Sequence, residues 1–205
     1  MATDQIPAAA RPASDRGAAT RSGLLAAARA VFISEGYDHA AVTDIVARAG
    51  ASVGSLYHHF SGKAALYLAL FDELHSVNAE QTRAAVRRAR DSGINDPMQL
   101  FLIGARAYLD GCIAQRELAS LFARADGPPG FELVWQQRLM EWVRKNTEFF
   151  ARSGEPLDEA VSIVMTGAMM LALSEVSRAE DNRRARQVAD GVISVLSRLE
   201  MRSQS

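Results

Sequence analysis

The sequence contains one cysteine, Cys112, only two lysines, Lys63 and Lys145, and almost no net charge. A single cysteine cannot form a disulfide within the chain and fits a reducing compartment, so we expect a cytoplasmic protein. The N-terminus lacks the apolar core of a signal peptide, and we see no apolar run that approaches a membrane span, so we expect no membrane association. The net charge of −1 gives no indication of strong non-specific binding to nucleic acid.

Patterns typical of enzymes and metal sites are also lacking. The histidines form no i, i+4 pair and none lies near the cysteine; they are His39, His58, His59 and His75. We find no nucleophile elbow, phosphate-binding loop or dinucleotide-binding motif, and the carboxylates are scattered over polar helix faces. We therefore expect no enzyme activity, no metal site and no cofactor.

Helical periodicity dominates what is present. Hydrophobic residues make up 48% and charged residues 23% of the chain, as in an ordinary globular protein. No segment shows the alternation of a half-buried strand, so the sequence predicts an all-α fold. The predicted helices span residues 20–35, 53–59, 61–90, 97–114, 117–124, 131–152, 157–179 and 182–201, with one further short helix between residues 43 and 50.

The stretch from Val42 to Lys63 reads as two short helices joined by a tight turn. We expect Thr43 to cap the first helix and Gly50 to end it, because a helix end favours a residue that tolerates positive φ. Ser52 is expected to cap the second helix, over residues 53–59. Two short capped helices with an intervening glycine turn are typical of a helix-turn-helix.

The residues around this motif resemble the DNA-binding domain of the TetR family of bacterial transcriptional regulators. The similar segments are LLAAARAVFISEGYDHAAVTDIVARAG, then GSLYHHF, then GKAALYLAL, within residues 19–70. This is about a quarter of the chain, and the remainder is similar in length and helical character only. The resemblance implies a three-helix DNA-binding domain at residues 19–65 and a helical ligand-binding and dimerisation domain at residues 66–205. Residues 1–18 are expected to be a disordered tail, with the alternative that Arg11 and Arg16 contact DNA phosphates.

The resemblance also implies which residues contact DNA. Ser55 would face bases, whereas Tyr57 and Lys63 would contact phosphates. The full set is Thr43, Ser52, Val53, Gly54, Ser55, Tyr57, His58, His59 and Lys63. The sequence departs from the family pattern at Val53, where Lys or Gln is frequent, and on either side of Lys63, where Gly62 and Ala64 replace polar residues.

The later helices supply candidates for a ligand pocket and a dimer interface. Aromatic and Met side chains suit an adaptable apolar pocket, although such residues are more often ordinary core. The predicted pocket residues are Phe71, Leu74, Phe101, Tyr108, Phe122, Trp135, Trp142, Met165 and Met169. The predicted helix 157–179 is apolar nearly all round, so we expect it to pair with helix 182–201 and both symmetry mates. The predicted interface residues are Val164, Gly167, Ala168, Leu171, Ala172, Val192, Val195 and Leu196.

These expectations favour a homodimeric repressor that binds a palindromic operator and releases it when a small apolar or aromatic molecule fills the C-terminal domain. A rival from another class is an α-helical small-molecule carrier or interaction protein that does not regulate DNA. The outward polar and aromatic residues of GSLYHHF argue against the carrier. An activator or a ligand-independent regulator remains a third alternative.

Overall fold

A computed structural model describes residues 13–124, 127–154 and 158–198. Within these ranges the chain forms helices and no strands, which confirms the predicted all-α class. The helices are α1 Ala13–His39, α2 Val42–Ala49, α3 Val53–His59, α4 Lys63–Asp91, α5 Pro97–Ala114, α6 Arg116–Ala123, α7 Phe131–Arg152, α8 Glu159–Arg178 and α9 Asn182–Leu196. The chain divides into two compact units, Met1–Ala69 and Leu70–Ser205, and α4 contributes residues to both.

The first unit packs α1 against α2 and α3. Its core is built from apolar residues at helical spacing on all three helices, and Leu24, Ile45 and Leu56 are fully buried. Three aromatic rings tie the end of α1 to the start of α4. The ring centroids of Phe32 and Tyr67 lie 5.6 Å apart, and those of Tyr37 and Tyr67 lie 5.2 Å apart. The position of α3 is therefore set by its packing in this apolar core.

The second unit is organised around α8, which packs against α5, α6, α7 and α9. One side of α8 is bonded to α7 through hydroxyl groups, with Thr147 Oγ1 3.1 Å from Ser162 Oγ and Asn146 Nδ2 3.3 Å from Thr166 Oγ1. Ser162 and Thr166 are almost fully buried. The other side of α8 carries exposed apolar residues.

Several predicted helix boundaries need correction. The first helix begins at Ala13 and not at Thr20, so residues 13–18 are helical, while residues 1–12, including Arg11, lie outside the described residues. The backbone leaves helical geometry at Gly36, where that helix was expected to end. The long helix begins at Lys63 rather than Ser61, and α9 ends at Leu196 rather than near residue 201. The expectation for residues 199–201 falls outside the described residues.

The expectation that no apolar run approaches the length of a membrane span is wrong. Helix α8 reaches that length and hydropathy, and 39% of its most apolar window is buried within the chain. A core helix of a soluble protein meets the same criterion. The buried, hydrogen-bonded Ser162 and Thr166 show that at least one side of α8 belongs to the protein core.

Candidate nucleic-acid interface and internal cavity

The short helix α3 is held by a side-chain cap at its start. Ser52 Oγ accepts a hydrogen bond from the backbone N–H of Ser55 at 3.1 Å, which confirms the predicted cap. The turn before it is also as predicted, because Gly50 ends α2 with a left-handed φ of 61°. Leu56 at 0% and Phe60 at 6% exposure anchor the inner face of α3.

The outer face of α3 is open to solvent. The side chain of Tyr57 is 57% exposed and that of Val53 is 43% exposed. Ser52, Gly54 and His58 are also exposed, and Ser55 and His59 are half-buried. These residues form a polar and aromatic surface on an α-helix, an element whose width fits the major groove of DNA.

Thr43 does not cap α2, contrary to the sequence-based expectation. The N-cap residue is Ala41, which makes no side-chain cap, and Thr43 is the second residue of the helix. The helix begins at Val42, two residues before the start at Asp44 that a cap at Thr43 requires. Thr43 is exposed at a helix N-terminus, where orphan backbone N–H groups favour an anion.

Lys63 makes contacts within the first unit. Its Nζ donates to the backbone carbonyl oxygens of Tyr37 at 2.7 Å and Asp38 at 3.2 Å. The ammonium group also lies 4.4 Å from the centroid of the Tyr37 ring. Lys63 therefore stabilises the last carbonyls of α1, a role that the sequence did not reveal.

The second unit encloses a small cavity between α4, α5, α6, α7 and α8. Its lining residues are Leu74, His75, Tyr108, Cys112, Ala119, Phe122, Trp135 and Leu173. The space has a volume of about 10 Å³, enough for roughly one water molecule. Four of the nine predicted pocket residues line it, namely Leu74, Tyr108, Phe122 and Trp135.

Two more of the predicted pocket residues lie beside the cavity. The Phe71 ring is 5.6 Å from that of Trp135 and 5.2 Å from that of Phe122. The Trp142 ring lies 5.0 Å from that of Tyr108, edge to face. The three remaining predictions do not meet here. Phe101, Met165 and Met169 pack instead in a separate apolar cluster around Phe150 and Leu196.

Sequence reasoning missed His75 as a lining residue because it weighed the histidines only as metal ligands. His75 lies four residues after Phe71 and one after Leu74, so helical spacing already placed it on the inward face of α4. Its Nδ1 is 2.8 Å from the hydroxyl oxygen of Tyr108. Burial, and secondarily the charge of Arg138, lowers the pKa of His75 to about 3, so the imidazole is neutral at ordinary pH.

Burial also keeps the other titratable lining groups neutral. It raises the pKa of the Cys112 thiol to about 12, and it raises the pKa of Tyr108 well above its ordinary value. Helix α5 can bring these groups close to α4 because residue 111 is glycine. A Cβ at Gly111 would lie 2.5 Å from Asn78 Oδ1, a separation too short for any side chain.

Three of the eight predicted interface residues are highly exposed apolar side chains, two on α8 and one on α9. Val164 is 60%, Leu171 is 71% and Val195, on α9, is 62% exposed. Two predictions are corrected, since Ala172 and Leu196 are each 2% exposed and fill the core of the protomer itself. Gly167 has open space where a side chain would project, and Ala168 and Val192 are half-buried against the Phe150 cluster.

Known proteins of one family are similar to this chain. Residues 24–70 match the sequence profile of bacterial regulatory proteins, tetR family. The A-factor receptor protein of Streptomyces griseus is 28% identical over 170 residues, which cover 82% of this chain and 58% of that protein. An HTH-type transcriptional repressor of Mycobacterium tuberculosis is 28% identical over 183 residues, which cover 86% of this chain and 92% of the repressor.

A solved structure agrees with these sequence matches. The crystal structure of a TetR-family transcriptional regulator from Pectobacterium atrosepticum superposes with a TM-score of 0.60 at 25% identity, covering 91% of this chain and 96% of that one. The chain belongs to the TetR family. TetR-family proteins are transcriptional regulators and not enzymes, which confirms the expectation that this chain is not an enzyme.

The TetR-family domain supplies a helix-turn-helix, formed here by α2, Gly50 and α3. The match spans the core of the first unit and stops at Leu70, so the cavity and the apolar side of α8 lie outside it. Among the described residues, no group of three or more His, Cys, Asp or Glu side chains is placed to hold a metal ion.

Proposed function

We propose that this chain is a DNA-binding transcriptional regulator that acts as a cytoplasmic, homodimeric repressor and is released from a palindromic operator by a small effector. The observation that carries this proposal is the exposed outer face of α3, held by the Ser52 cap and anchored by Leu56. A small-molecule carrier would have no use for Tyr57 and His58 projecting from a capped helix at this position in a TetR-family domain.

Contacts to DNA would be divided between positioning and reading. Tyr57, Thr43 and Lys63 would bond phosphates, which fixes the register of the protein on the duplex. Ser55, Val53 and Gly54 would face base edges in the major groove, where Ser55 alone of the three offers a side-chain hydrogen bond.

Dimerisation is supported by the apolar outer side of α8. Ile163, Val164 and Leu171 are each more than half exposed, and so is Val195 on α9, the helix that packs against α8. A patch of this kind needs cover, and a two-fold axis would bury the same residues of both copies. Cover by a second copy also accounts for the high hydropathy of α8 without a membrane. A symmetric dimer would bind a palindromic site through its two α3 helices.

The repressor and effector roles rest on the relatives and on the cavity. One relative that aligns over most of its length is named a repressor, and another is named a receptor. Helix α4 supplies Leu66 and Tyr67 to the core of the first unit and Leu74 and His75 to the cavity of the second. An effector in the cavity would act through α4 if it binds the two states of the protein with different affinity.

The experiment that tests this function is selection of bound sequences from a random duplex library, followed by a reporter carrying the selected sequence. We expect a palindromic sequence to be enriched and reporter expression to rise when the gene for this protein is deleted. Falling expression on deletion would identify an activator. Failure to enrich any sequence would leave the carrier as the better account.

A further inference from the structure

Buried polar groups lie along one side of the cavity, and a ring nitrogen of one of them has no partner. Asn78 Nδ2 lies 3.3 Å from Cys112 Sγ. The Tyr108 hydroxyl oxygen lies 2.8 Å from His75 Nδ1. Within the described residues, two buried side-chain atoms have no hydrogen-bond partner, His75 Nε2 and Asn78 Oδ1, and of these two residues only His75 lines the cavity. A buried polar atom left unpaired costs free energy, so a site for a missing partner is expected there.

The direction of the hydrogen bond between Tyr108 and His75 follows from the acceptors within reach. Among the described residues the Tyr108 hydroxyl bonds only His75 Nδ1, so its proton has no other acceptor there and points to Nδ1. Nδ1 is therefore the acceptor, and the single proton of the neutral imidazole lies on Nε2. Any molecule in the cavity would meet one N–H donor at His75.

The rest of the cavity wall carries no charge. Leu74, Ala119, Phe122, Trp135 and Leu173 are apolar, and Cys112 is a neutral thiol. An ion placed here would lose its hydration without gaining an opposite charge.

Arg138, the cation that acts on His75, has partners of its own. Its Nη2 lies 2.9 Å from Asp72 Oδ1 and its Nη1 lies 3.4 Å from Glu141 Oε2. Its guanidinium group lies 5.9 Å from the centroid of the Phe71 ring. Since its charge is balanced by two carboxylates, Arg138 does not supply a free counter-charge for an anionic ligand.

We propose that the effector of this chain is an uncharged, largely apolar molecule with a carbonyl, ester or hydroxyl oxygen that accepts a hydrogen bond from His75 Nε2. This inference rests on the proposed effector site and adds the chemical class of its ligand. The cavity holds about one water molecule as it stands, so ligand entry must displace wall side chains such as Trp135 and Phe122. Displacement of aromatic rings that also contact Phe71 gives the ligand a route to move α4.

The test uses three probes with one aromatic ring and a similar chain: 4-phenylbutan-2-one, butylbenzene and 4-phenylbutanoate. They supply respectively a neutral acceptor oxygen, no acceptor and a charged acceptor. Calorimetry and tryptophan emission would measure their binding to the full-length protein. We expect the ketone to bind about five- to tenfold more tightly than butylbenzene, because one buried hydrogen bond contributes about that much to affinity. We expect the carboxylate to bind most weakly.

Three variants assign the preference to His75. His75→Phe should remove the advantage of the ketone over butylbenzene and leave butylbenzene binding in place. His75→Gln, which keeps an N–H donor, should restore part of the advantage, and His39→Gln, at an exposed histidine, should behave as wild type. Equal binding of ketone and hydrocarbon to wild type, tightest binding of the carboxylate, or an unchanged preference in His75→Phe would each overturn the inference.

Absence of binding by all three probes, with a buried water alone on Nε2 in a high-resolution structure, would also overturn it. Operator binding is measured separately on the same preparations. A protein that binds operator without any preference for the ketone refutes the ligand class only. A protein that prefers the ketone and binds no DNA sequence refutes the proposed function only.

Discussion

At the scale of single residues, Lys63 shows how one side chain combines structure and proposed function. Two of its three ammonium protons are used by the carbonyls of Tyr37 and Asp38, so one remains for a DNA phosphate. We expect Lys63→Ala to lower the free energy of unfolding by about 1 kcal/mol, because two hydrogen bonds to a charged, half-buried group are lost.

The same substitution should reduce the slope of log affinity for operator against log salt by about one unit, as expected for one lost phosphate contact. Denaturant unfolding and a salt titration of operator binding measure the two effects. Loss of stability with an unchanged salt slope would mean that Lys63 has only a structural role.

His75 makes stability depend on pH in a window that the structure defines. Its pKa is about 3 in the folded chain, lowered chiefly by burial and also by Arg138, against about 6.5 when unfolded. Between these values the unfolded chain binds the extra proton, so stability is complete above pH ~6.5 and is lost as pH falls. At pH 5 the loss attributable to His75 is about 2 kcal/mol.

Urea unfolding of wild type and His75→Leu from pH 7.5 to 5 gives the free energy of unfolding at each pH. The contribution of His75 is the difference between the slopes of this free energy against pH in the two proteins. His39→Gln is the control, since that side chain is exposed. Parallel pH dependence in wild type and His75→Leu would show that the imidazole is not held neutral by the fold.

At the scale of elements, α3 separates contacts that position the protein from contacts that read sequence. We expect Tyr57→Phe to weaken binding to all operator variants by a similar factor, because a lost phosphate contact carries no base information. Ser55→Ala should instead change preference at one base pair, at a cost of about 1–3 kcal/mol there. Competition binding against single-base operator variants distinguishes the two, and a uniform loss in Ser55→Ala would contradict the placement of α3.

Much of this element was predictable, because caps and turns leave local marks in the sequence. Ser52, Gly50 and the inward pair Leu56 and Phe60 follow from capping preference, positive φ and helical spacing. The cap at Thr43 was mispredicted because a helix can begin without a side-chain cap, and no sequence signal marks that. The role of Lys63 depends on the carbonyls of Tyr37 and Asp38, more than twenty residues away, so only the folded chain reveals it.

The cavity was predicted less well for a related reason. Helical spacing identifies inward faces, but it does not tell which of two clusters a buried residue joins. Met165 and Phe101 look like pocket residues by type, yet they pack around Phe150. His75 and Gly111 matter through the close approach of α4 and α5, which is a property of the packed pair of helices.

At the scale of the whole molecule, the proposed dimer depends on the outer side of α8. We expect Leu171→Arg to produce monomers, because Leu171 is 71% exposed and its replacement would bury an unpaired charge in the interface. Leu133→Arg is the matched control, since Leu133 on α7 is also highly exposed, at 58%. Sedimentation at micromolar concentration measures the oligomeric state of both variants. A monomeric wild type, or equal dissociation by Leu133→Arg, would refute this interface.

The most direct test of the central claim is the stoichiometry and symmetry of the complex with a selected DNA sequence. The account predicts two protomers on one duplex, with palindromic half-sites whose centres lie about 34–36 Å apart, one turn of DNA. It also predicts that Tyr57→Phe weakens the complex and that the dimer-disrupting Leu171→Arg abolishes tight binding. An enriched sequence bound by a single protomer, or a complex indifferent to both substitutions, would contradict the account.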